Sequence, residues 1–552
     1  MSVAADTITA RLEAVAARAP EQVFCIHYSA SGSEVISYCR LLEGARAAAG
    51  RYRSWGCQPG DVALIFLKHE PELYFSFVGA MLAGVVPSFM PYPNPKQNHD
   101  LFWRGHAALL ERIDPRLLVV SPELIEQFQQ FLPAYADRMR SSAGIAEGGD
   151  ASALSVARRS DDVAFLQHSS GTTALKKGVM LSHGAVLRQT DAYARAIGFS
   201  ADDVTASWLP LYHDMGLIAC LMLTLVSGAT LVSLDPFEWV GAPATLFDVI
   251  ERHRATFCWL PNFAFNHLAG SVRGGAARDL SSVRAFINCS EPCRPESFEL
   301  FARRFADSGA TAERLQVCYA MAESVFAVTQ TPLGEAAGVL SVDRNAFEAQ
   351  GRIEPGEGIR LLSCGRPIEG IGLRIVGEHG ADLPPGWIGE VVISAPFLFE
   401  GYYRQPALTE QKLRDGWYYS GDLGCLVDGE LYITGRKDDL IIAYGRNYYA
   451  HEIEAVASGV DAVLPGRCVA FAVPSPVAGT QQTVLMAETR AEETAPLVRQ
   501  LREAVLASTG LALTQVVLRP PGALVKTTSG KISREANRTQ FLEARSSGVP
   551  AQ

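Results

Sequence analysis

Short apolar runs alternate with amphipathic stretches through the central part of the chain, from residue 161 to about residue 330. The apolar runs predict buried strands, and the stretches between them place apolar residues at helical spacing. The predicted helices include Ala242–His253 and Pro295–Phe305, and the predicted strands are Thr205–Trp208, Ala229–Leu234, Thr256–Leu260, Val283–Asn288 and Leu315–Cys318. This alternation predicts an α/β fold in which helices cover parallel sheets, with ligands beyond the carboxyl ends of the strands.

The two flanking regions differ from this centre and from each other. Before residue 160 the alternation continues, with Val62–Leu67 predicted as a strand and Leu73–Ala83 as a helix. From about residue 365 the pattern is typical of β-strands between turns, and a small α/β unit follows Gly435. The predicted elements in this part are the strands Gly372–Val376, Glu390–Ser394, Glu430–Thr434, Cys468–Val473 and Thr483–Glu488 and the helix Leu497–Ala507.

One apolar segment has the length of a membrane span. Met215–Leu234 contains twenty residues without a charged side chain, which is enough to cross a bilayer as a helix. Ser227-Gly228 divides this segment into a helix-like half and a β-like half, Ala229–Leu234. The segment therefore predicts a buried helix leading into a buried strand, and no membrane span.

The length of the chain predicts how many domains it has, and its net charge argues against two kinds of binding partner. At 552 residues the chain is too long for one core, which predicts two or more domains. A net charge of −10 and a pI near 5.7 argue against nonspecific binding to nucleic acid or to an anionic membrane surface.

The cysteine pattern and the first residues predict a cytoplasmic protein. The eleven cysteines never form a Cys-x-x-Cys motif. Cys289 and Cys293 are expected to share a helix face, but two thiols do not make a zinc site. At the N-terminus, helical spacing of Ile8, Leu12 and Val15 is interrupted by charged residues, which predicts no secretory signal peptide.

The segment with the most candidate ligand-binding residues runs from Gln167 to His183. A predicted strand, Val163–Leu166, precedes a loop of glycine and hydroxyl residues, and a predicted helix, Gly184–Ile197, follows it. Strand, loop and helix in this order are typical of a phosphate cradle formed by backbone N–H groups, hydroxyls and lysines. The donors are Ser169, Ser170, Gly171, Thr172, Thr173, Lys176 and Lys177. The stretch lacks the Gly-Lys-Ser/Thr ending of a Walker loop, and a solvated Ser/Thr turn is the alternative interpretation.

Three further polar segments directly follow predicted strands. They are Pro210-Leu211-Tyr212-His213-Asp214-Met215-Gly216, Ser290-Glu291-Pro292 and Tyr319-Ala320-Met321-Ala322-Glu323. Because the carboxyl ends of parallel strands lie at one edge of a sheet, these segments are expected to form one site together.

Ser169-Ser170-Gly171-Thr172-Thr173 followed by Lys177-Gly178-Val179-Met180-Leu181-Ser182-His183 resembles the signature loop of the adenylate-forming superfamily. That superfamily contains acyl- and aryl-CoA synthetases, fatty acyl-AMP ligases, nonribosomal adenylation domains and luciferases. The sequence departs from the motif at Ala174, where a glycine is usual, and at Lys176, where a proline is usual. These departures predict altered loop dynamics with binding retained.

The resemblance implies an α/β fold of two domains. A large N-terminal adenylation domain, residues 1–436, is expected to contain two helix-covered mixed or parallel sheets and a small β-barrel-like part at about 365–434. Residues 437–552 are expected to form a small, mobile α+β domain that carries the catalytic lysine and rotates about a hinge at Asp438.

The resemblance also implies ATP and Mg²⁺ as cofactors and assigns roles to residues. Glu323, with Thr173, is expected to hold the metal, and Tyr319, with Ala320 and Met321, to pack on adenine. Ser290, Glu291 and Pro292 resemble the segment that lines the adenine pocket, where backbone carbonyls commonly meet the amino group. Asp422 in Tyr419-Ser420-Gly421-Asp422 is expected to bind the ribose hydroxyls, with Arg436 sharing the ribose or phosphate contacts. In the absence of the other motifs, Glu323 would be interpreted as a helix cap and Asp422 as a turn residue.

Two residues are expected nearest the reacting groups. Lys531, in Lys526-Thr527-Thr528-Ser529-Gly530-Lys531-Ile532-Ser533-Arg534, resembles the lysine that bridges the substrate carboxylate and the α-phosphate. His213 is expected to gate the acyl pocket. It is not a general base, because a carboxylate nucleophile has no proton to lose at neutral pH. For Lys531 the alternative is an ordinary surface lysine, and for His213 a metal pair with Asp214.

Two features favour the fatty acyl-AMP ligase branch, in which a carrier protein's phosphopantetheine thiol accepts the acyl group. About forty residues separate Glu323 from Cys364, and the excess around Gly338–Leu361 resembles an insertion of that branch. The segment Leu440–Tyr449 resembles the motif after the hinge, where CoA synthetases commonly carry a lysine near Ile442; Ala450 replaces a usual proline. An acyl- or aryl-CoA synthetase and a non-catalytic nucleotide-binding homologue remain alternatives.

The carboxylic acid substrate is not readable from the sequence, and fatty, aryl and polyketide-like acids are all compatible with it. Four aromatic residues near predicted strand ends are candidates either for an apolar tunnel or for plain core: Trp208, Trp259, Phe263 and Phe265.

Overall fold

A computed structural model of the chain describes residues 6–93, 99–147, 158–169, 177–272, 278–443, 446–474, 481–527 and 531–546. Within these ranges the α-helices are α1 (Ile8–Arg18), α2 (Tyr38–Ser54), α3 (Glu72–Ala83), α4 (His99–Ile113), α5 (Ile125–Phe131), α6 (His183–Ile197), α7 (Leu223–Ser227), α8 (Pro236–Gly241), α9 (Ala244–His253), α10 (Asn262–Ser271), α11 (Pro295–Phe305), α12 (Pro406–Lys412), α13 (Ala450–Ser458), α14 (Thr494–Thr509) and α15 (Arg534–Ser546). Two π-helices, Met215–Met222 and Ala346–Gln350, and several short 3₁₀ turns complete the helical residues.

The strands of the described residues include every strand predicted from the apolar runs and several that were not predicted. They are β1 (Val23–Ser29), β2 (Gly32–Ser37), β3 (Val62–Phe66), β4 (Val86–Phe89), β5 (Leu117–Val120), β6 (Met139–Ser141), β7 (Val163–Ser169), β8 (Lys177–Ser182), β9 (Val204–Ser207), β10 (Thr230–Ser233), β11 (Phe257–Leu260), β12 (Ala285–Asn288), β13 (Leu315–Ala320), β14 (Ala327–Gln330), β15 (Val339–Asp343), β16 (Gly358–Leu362), β17 (Arg366–Pro367), β18 (Gly372–Val376), β19 (Gly389–Ser394), β20 (Gly401–Tyr402), β21 (Leu413–Arg414), β22 (Trp417–Val427), β23 (Glu430–Arg436), β24 (Leu440–Ala443), β25 (Arg446–Tyr449), β26 (Val463–Pro474), β27 (Gln481–Thr489) and β28 (Gln515–Arg519).

Two helix-covered sheets form the large N-terminal part, as predicted. The larger sheet has nine strands in the order β17-β14-β13-β12-β11-β9-β10-β1-β2, and its six central strands from β13 to β1 run parallel. The smaller sheet, β4-β3-β5-β6, is parallel throughout. Parallel strands need long crossover connections, and the helices between these strands provide them. The α/β fold with mixed and parallel sheets is therefore confirmed.

The β-rich part after residue 365 is an antiparallel sheet. Strands β18, β19, β22 and β21 pair in that order, and β23 pairs with the other edge of β22. Among the described residues these pairings follow an open path and do not close into a barrel. The long β22–β23 hairpin brings Asp422 opposite Arg436, and this register places two predicted site residues side by side.

The C-terminal part has a core of its own. Strands β26, β27 and β28 form a sheet, with α13 and α14 covering one face and α15 the other. Ile453, Leu485 and Leu501 are fully buried in one cluster, and Phe471 and Phe541 belong to a second. A separate core for this segment is what a movable unit requires.

The segment after Lys177 corrects one prediction. The predicted order was strand, loop and helix, but β8 pairs antiparallel with β7 before α6 begins. Ser182 caps that helix by accepting the Ala185 N–H at 3.2 Å. Val179 and Leu181 are buried, and Met180 between them is less so; because all three are apolar, the sequence shows no strand-like alternation here. The hydroxyl-rich loop therefore connects two strands, and no helix N-terminus follows it directly.

The apolar segment from Met215 folds as predicted. A π-helix, Met215–Met222, continues into α7, and Gly228 (φ +79°) turns the chain into β10. Every residue from Met215 to Val226 is buried. In the part of the chain that the structure describes, no helix has both the length and the apolarity to cross a membrane.

The predicted shared helix face of Cys289 and Cys293 is wrong. Both residues lie in the connection between β12 and α11, outside any helix. All eleven cysteines are free thiols. Burial raises the pKa of Cys293 well above its usual value, as expected for a structural thiol of low reactivity.

Glu70 makes the stability of the chain depend on pH. Its Oε1 atom accepts hydrogen bonds from Ser121 Oγ at 3.0 Å and Ser142 Oγ at 3.1 Å, and burial raises its pKa from 4.5 to about 7. A carboxyl group whose pKa is higher in the folded than in the unfolded state contributes stability below the unfolded pKa. That contribution is lost as the pH rises through the folded pKa.

We therefore expect the melting temperature to fall by ~2–4 °C between pH 5.5 and pH 8 because of this group. Glu70→Gln should remove most of this fall, because the amide cannot ionise. Thermal unfolding of both chains across this pH range measures the effect. Glu126→Gln, on the exposed surface of α5, is the control and should keep the wild-type slope. An unchanged slope in Glu70→Gln would contradict the assignment.

Candidate active site

The polar segments that follow the central strands lie along one edge of the large sheet. Strands β9, β11, β12 and β13 are parallel neighbours, so their carboxyl ends share that edge. Tyr319 and Ala320 occupy the last two positions of β13, and the other predicted segments begin just after β9 and β12. The sheet thus brings together residues that are more than one hundred positions apart in the sequence.

Glu323 is held in a tight turn at this edge. It lies in the 3₁₀ turn Ala322–Ser324 and is 8% exposed. Tyr402 Oη donates to Glu323 Oε1 at 2.7 Å, and Phe399 N donates to its backbone carbonyl at 2.9 Å. The buried Tyr402, on β20, was not predicted from the sequence, because nothing local to it indicates a partner so distant along the chain.

Lys177 reaches the same cluster from β8. Its Nζ atom lies 5.3 Å from the centre of the Tyr402 ring, and β8 pairs directly with β20. Burial lowers the pKa of Lys177, and the nearby carboxylate of Glu323 opposes this effect. Lys177 and Glu323 thus both contact Tyr402.

The structure describes only the residues that flank the hydroxyl-rich loop, Ser169 and Lys177. Ser169 is the last residue of β7 and pairs in register with Lys177. The predicted phosphate-binding residues Ser170, Gly171, Thr172, Thr173 and Lys176 lie outside the described residues, as does the predicted metal contact of Thr173.

Asp422 is the centre of a second cluster. Tyr319 Oη donates to Asp422 Oδ2 at 2.6 Å, and the guanidinium of Arg436 lies 3.1 Å from Asp422 Oδ1. The charge of Asp422 raises the pKa of Arg436. Burial, followed by the charge of Asp422, raises the pKa of Tyr319 well above its usual value. Both carboxylate oxygens are engaged and oriented, although half of the Arg436 side chain (53%) is exposed.

Lys531 extends from the C-terminal part into this cleft. Its ammonium group donates to the backbone carbonyl of Ser290 at 2.5 Å. Ser290 has φ +67°, a left-handed conformation that is unusual for a residue with a side chain and directs this carbonyl. The lysine predicted to act on the α-phosphate therefore contacts the loop predicted to line the adenine pocket.

Asp214 belongs to the same neighbourhood. Its Oδ1 atom accepts the Met215 N–H at 2.8 Å, at the start of the π-helix. Burial raises the pKa of Asp214, Glu323 strengthens the effect and Lys531 opposes it. The site thus contains a third carboxylate, which the sequence offered only as a possible metal partner of His213.

His213 lies in the half-buried turn that follows β9. Its backbone N–H donates to Pro210 O at 3.2 Å, and its ring centre lies 5.0 Å from that of Tyr212. Gln167 Nε2 donates to Tyr212 O at 3.2 Å. This bond ties the turn to the end of β7, next to the hydroxyl-rich loop.

The other residues that were predicted to line the adenine pocket differ in their exposure and in their contacts. Pro292 is exposed, and Ala320 and Met321 are half-buried beside Tyr319. The side chain of Glu291 instead accepts the Phe263 N–H at 3.0 Å. It thereby satisfies a free donor in the first turn of α10, a contact that the sequence did not indicate.

The aromatic residues near the strand ends mostly belong to the core. Trp259 and Phe265 are fully buried, and Trp208 stacks on Trp239 with ring centres 3.8 Å apart. Phe263 differs, because 45% of its surface is exposed. The core interpretation thus accounts for three of the four aromatic candidates, and Phe263 is available to a ligand.

The predicted hinge lies in an exposed turn. Asp438 is in the 3₁₀ turn Lys437–Asp439, which directly follows β23. Lys437 Nζ lies 3.3 Å from Glu390 Oε2 on β19. The turn thus joins the β-rich part to the C-terminal part, with one anchor on the N-terminal side.

The segment resembling an insertion folds as a hairpin. Strands β15 and β16 pair antiparallel and enclose the π-helix Ala346–Gln350. Phe347 packs on Tyr449 with ring centres 5.2 Å apart, and Arg446 lies 3.7 Å from the buried carboxylate of Glu348. The hairpin therefore contacts β25, which follows the hinge.

Comparisons with known proteins agree with this geometry. The family model described as "AMP-binding enzyme" matches residues 12–403. The chain is 30% identical over 536 residues to the medium-chain-fatty-acid–[acyl-carrier-protein] ligase JamA of Moorena producens (strain JHB), covering 92% of this chain and 90% of that protein. It is also 30% identical to the 4-hydroxyphenylalkanoate adenylyltransferase of Mycobacterium tuberculosis, covering 88% and 82%.

Among solved structures, one of the fatty acyl-adenylate ligases from E. coli and L. pneumophila superposes with a TM-score of 0.90 at 25% identity. The superposition covers 98% of each chain.

Proposed function

Because the chain belongs to the AMP-binding enzyme family, we propose that it activates a carboxylic acid with ATP and transfers the acyl group to a carrier-protein thiol. The observation that carries this proposal is the Lys531 ammonium lying against Ser290. A cation from the C-terminal part thereby reaches the cleft that contains Asp422 and Glu323. The first product is an acyl-adenylate, and pyrophosphate leaves.

The first step is an attack on the α-phosphorus of ATP. An oxygen of the substrate carboxylate forms the new bond to phosphorus, and the bond from phosphorus to the bridging oxygen of pyrophosphate breaks. Negative charge grows on the oxygens of the α-phosphate, and the ammonium group of Lys531 is placed to stabilise it. No base is needed, because the attacking carboxylate is already deprotonated.

The nucleoside is held by the second cluster. We propose that Asp422 accepts hydrogen bonds from the ribose hydroxyls, with Tyr319 and Arg436 orienting its two oxygens. Ser290 to Pro292 and Tyr319 to Met321 are proposed to form the two walls around adenine. The residues Ser169 to Thr173, with Lys177, are proposed to bind the triphosphate.

Mg²⁺ fits the donor set at Glu323. The carboxylate uses one oxygen for the Tyr402 hydroxyl and keeps lone pairs for a hard cation that phosphate oxygens also bind. When bound, the ion neutralises charge on the phosphates. Glu323 would hold it, with Thr173 as the proposed second protein contact.

In the second step the sulfur of a thiol attacks the acyl carbon and a carbon–sulfur bond forms. The bond from the acyl carbon to the phosphate oxygen breaks, AMP leaves, and the thiol proton passes to solvent. We propose two bodies, residues 1–436 and 437–552, and rotation about Asp438 that gives the thiol access. Phe347 and Glu348, which lie between β15 and β16, contact Tyr449 and Arg446 after the hinge, and these contacts support a role of this segment in the rotation. Ile442 is 53% exposed, and an isoleucine there offers no charge for the phosphates of coenzyme A.

The proposed acid is aliphatic or aryl-alkanoic, as the names of the two relatives state for those proteins. Exposed Phe263, next to the stacked Trp208 and Trp239, supports an apolar substrate. Isotope exchange between pyrophosphate and ATP with a panel of fatty and 4-hydroxyphenylalkanoic acids tests the first step. Exchange with at least one of these acids is expected, and exchange with none would overturn the proposal.

Which thiol accepts the acyl group is tested separately, with the acid of that panel that gives the fastest exchange. We expect a holo-carrier protein to be acylated at least ~10-fold faster than free coenzyme A at equal thiol concentration, which corresponds to about 1.4 kcal/mol. The apo-carrier protein, which lacks the phosphopantetheine thiol, is the control. Faster thioester formation on coenzyme A would assign the chain to the CoA synthetases.

A further inference from the structure

A buried arginine connects the loop of Lys531 with the turn of the hinge. We propose that Arg534 is a positioning residue, which fixes where Lys531 stands relative to Asp438 through an ion pair with Asp439. This inference rests on the proposed function, because it concerns the residue proposed to act on the α-phosphate. Arg534 itself is not proposed to touch the substrate.

Arg534 makes three directed contacts. It is the first residue of α15, three positions after Lys531, and only 20% of its side chain is exposed. One terminal nitrogen forms an ion pair with Asp439 Oδ2. The other donates to Glu454 Oε1 at 2.7 Å, and Nε donates to Ala470 O at 2.8 Å. A planar guanidinium can serve three acceptors in fixed directions, and an ammonium group cannot.

The three groups that accept from Arg534 belong to two different parts of the structure. Glu454 is on α13 and Ala470 is on β26, and these two are themselves joined, since Ala470 N donates to Glu454 Oε1 at 2.9 Å. Both therefore belong to the core of the C-terminal part. Asp439 instead ends the 3₁₀ turn that contains Asp438. Of the three contacts of Arg534, the one with Asp439 connects it to the hinge.

The charges make the cluster rigid. Two partly buried carboxylates face one guanidinium, and the side chains of Asp439 and Glu454 are 22% and 20% exposed. Burial disfavours the charged arginine, but Glu454 and Asp439 outweigh this and raise the pKa of Arg534. Removing the arginine would leave two carboxylates without their cation, which is costly.

The base of the Lys531 loop is closed just before Arg534. Thr527 N donates to Lys531 O at 2.7 Å, and Ser533 N donates to Val525 O at 2.9 Å. The segment of Lys531 is therefore paired with residues 525–527, and it continues directly into the anchored Arg534. Because residue 439 follows the pivot, rotation at Asp438 carries Asp439, Arg534 and Lys531 together. The ion pair sets the distance between the pivot and the ammonium group.

Asp439→Asn tests this inference, with Glu454→Gln as the matched control. Each variant removes one charge that faces Arg534, but only the first removes the connection to the hinge. For Asp439→Asn we expect ATP–pyrophosphate exchange with kcat lowered about 10-fold and the KM for ATP within about 2-fold of wild type, since positioning affects the transition state more than nucleotide binding. Glu454→Gln should lower the melting temperature more than Asp439→Asn does and leave kcat within about 2-fold.

Arg534→Lys, which keeps the positive charge, is the second variant in this test. It should lose as much kcat as Asp439→Asn, and the double variant should be no worse than Arg534→Lys alone, because both changes break the same contact. Additive losses, or kcat in Asp439→Asn equal to wild type, would overturn the inference while the wild-type chain still exchanges pyrophosphate. Wild-type protein without exchange for any acid would overturn the proposed function and this inference together.

Discussion

Lys531→Ala is expected to lower the rate of ATP–pyrophosphate exchange by about 10²–10³-fold, the range observed when a single group that stabilises developing charge is removed. The ammonium group already lies in the cleft, against Ser290 O, and a methyl group at this position leaves the α-phosphate without that cation. The KM for ATP should change far less, because the other nucleotide contacts are on different elements. Initial rates over a range of ATP concentrations measure both quantities.

The same variant should retain the second step. When a chemically prepared acyl-adenylate is supplied, thioester formation by Lys531→Ala should stay within about threefold of wild type, because that step needs no cation at the α-phosphate during attack. This result would also show that the variant is folded. Equal losses in both steps would instead indicate a folding defect, and full exchange activity would remove Lys531 from the reaction.

Lys531→Arg is the conservative comparison. Arginine keeps the positive charge but carries it on a larger, planar group, which does not fit the same contact with Ser290 O. We expect it to recover no more than about a tenth of the wild-type rate, well above Lys531→Ala.

The arrangement of the central sheet was predictable because it depends on local sequence. The clearest of its parallel strands are short apolar runs that are buried throughout, such as Phe257–Leu260, and helices lie between successive strands in the sequence. The position of the candidate site followed from this, since ligands bind at the carboxyl edge of such sheets. Helix α11 was predicted with its observed bounds because Pro295 marks its first turn.

The strand β8 was missed for a local reason as well. Its sequence, Lys177–Ser182, begins with lysine and glycine, and its three apolar residues, Val179, Met180 and Leu181, are consecutive and show no alternation. Pairing with β7 and β20 stabilises it as a strand. Such tertiary pairing overrides weak local preference.

Contacts between distant segments were beyond the reach of the sequence. Tyr402 donates to Glu323 across 79 positions, and Arg534 donates to Glu454 across 80. Glu291 was expected in the adenine pocket, but its carboxylate lies at the first turn of α10. A motif gives a residue type and an approximate place, whereas the direction of a side chain depends on neighbours from other parts of the chain.

Asp422→Asn is expected to raise the KM for ATP roughly 10–100-fold. Both oxygens of Asp422 are engaged: one accepts a hydrogen bond from Tyr319, and the other forms an ion pair with Arg436. Asparagine has a single acceptor oxygen, so its amide NH₂ must face one of these donors or the ribose. Each hydrogen bond to a charged group contributes about 1.5–3 kcal/mol, and losing one such contact with the ribose gives this range.

Tyr319→Phe is the matched control for this prediction. It removes the hydroxyl that donates to Asp422 Oδ2 at 2.6 Å and leaves the carboxylate, its charge and the aromatic ring. We expect the KM for ATP to rise less than 10-fold, because the ribose hydroxyls still find an acceptor. A larger effect than that of Asp422→Asn would assign the main nucleotide contact to the tyrosine.

Nucleotides without ribose hydroxyls separate a direct contact from a general loss of structure. Wild-type chain should discriminate strongly against 2′,3′-dideoxy-ATP, because the buried carboxylate of Asp422 would then lose its ligand donors. Asp422→Asn should bind ATP and 2′,3′-dideoxy-ATP with affinities within about 3-fold of each other, since the contact that distinguishes them is already gone. Undiminished discrimination in Asp422→Asn would place the ribose elsewhere in the cleft, and Asp422 would then serve only to hold Tyr319 and Arg436.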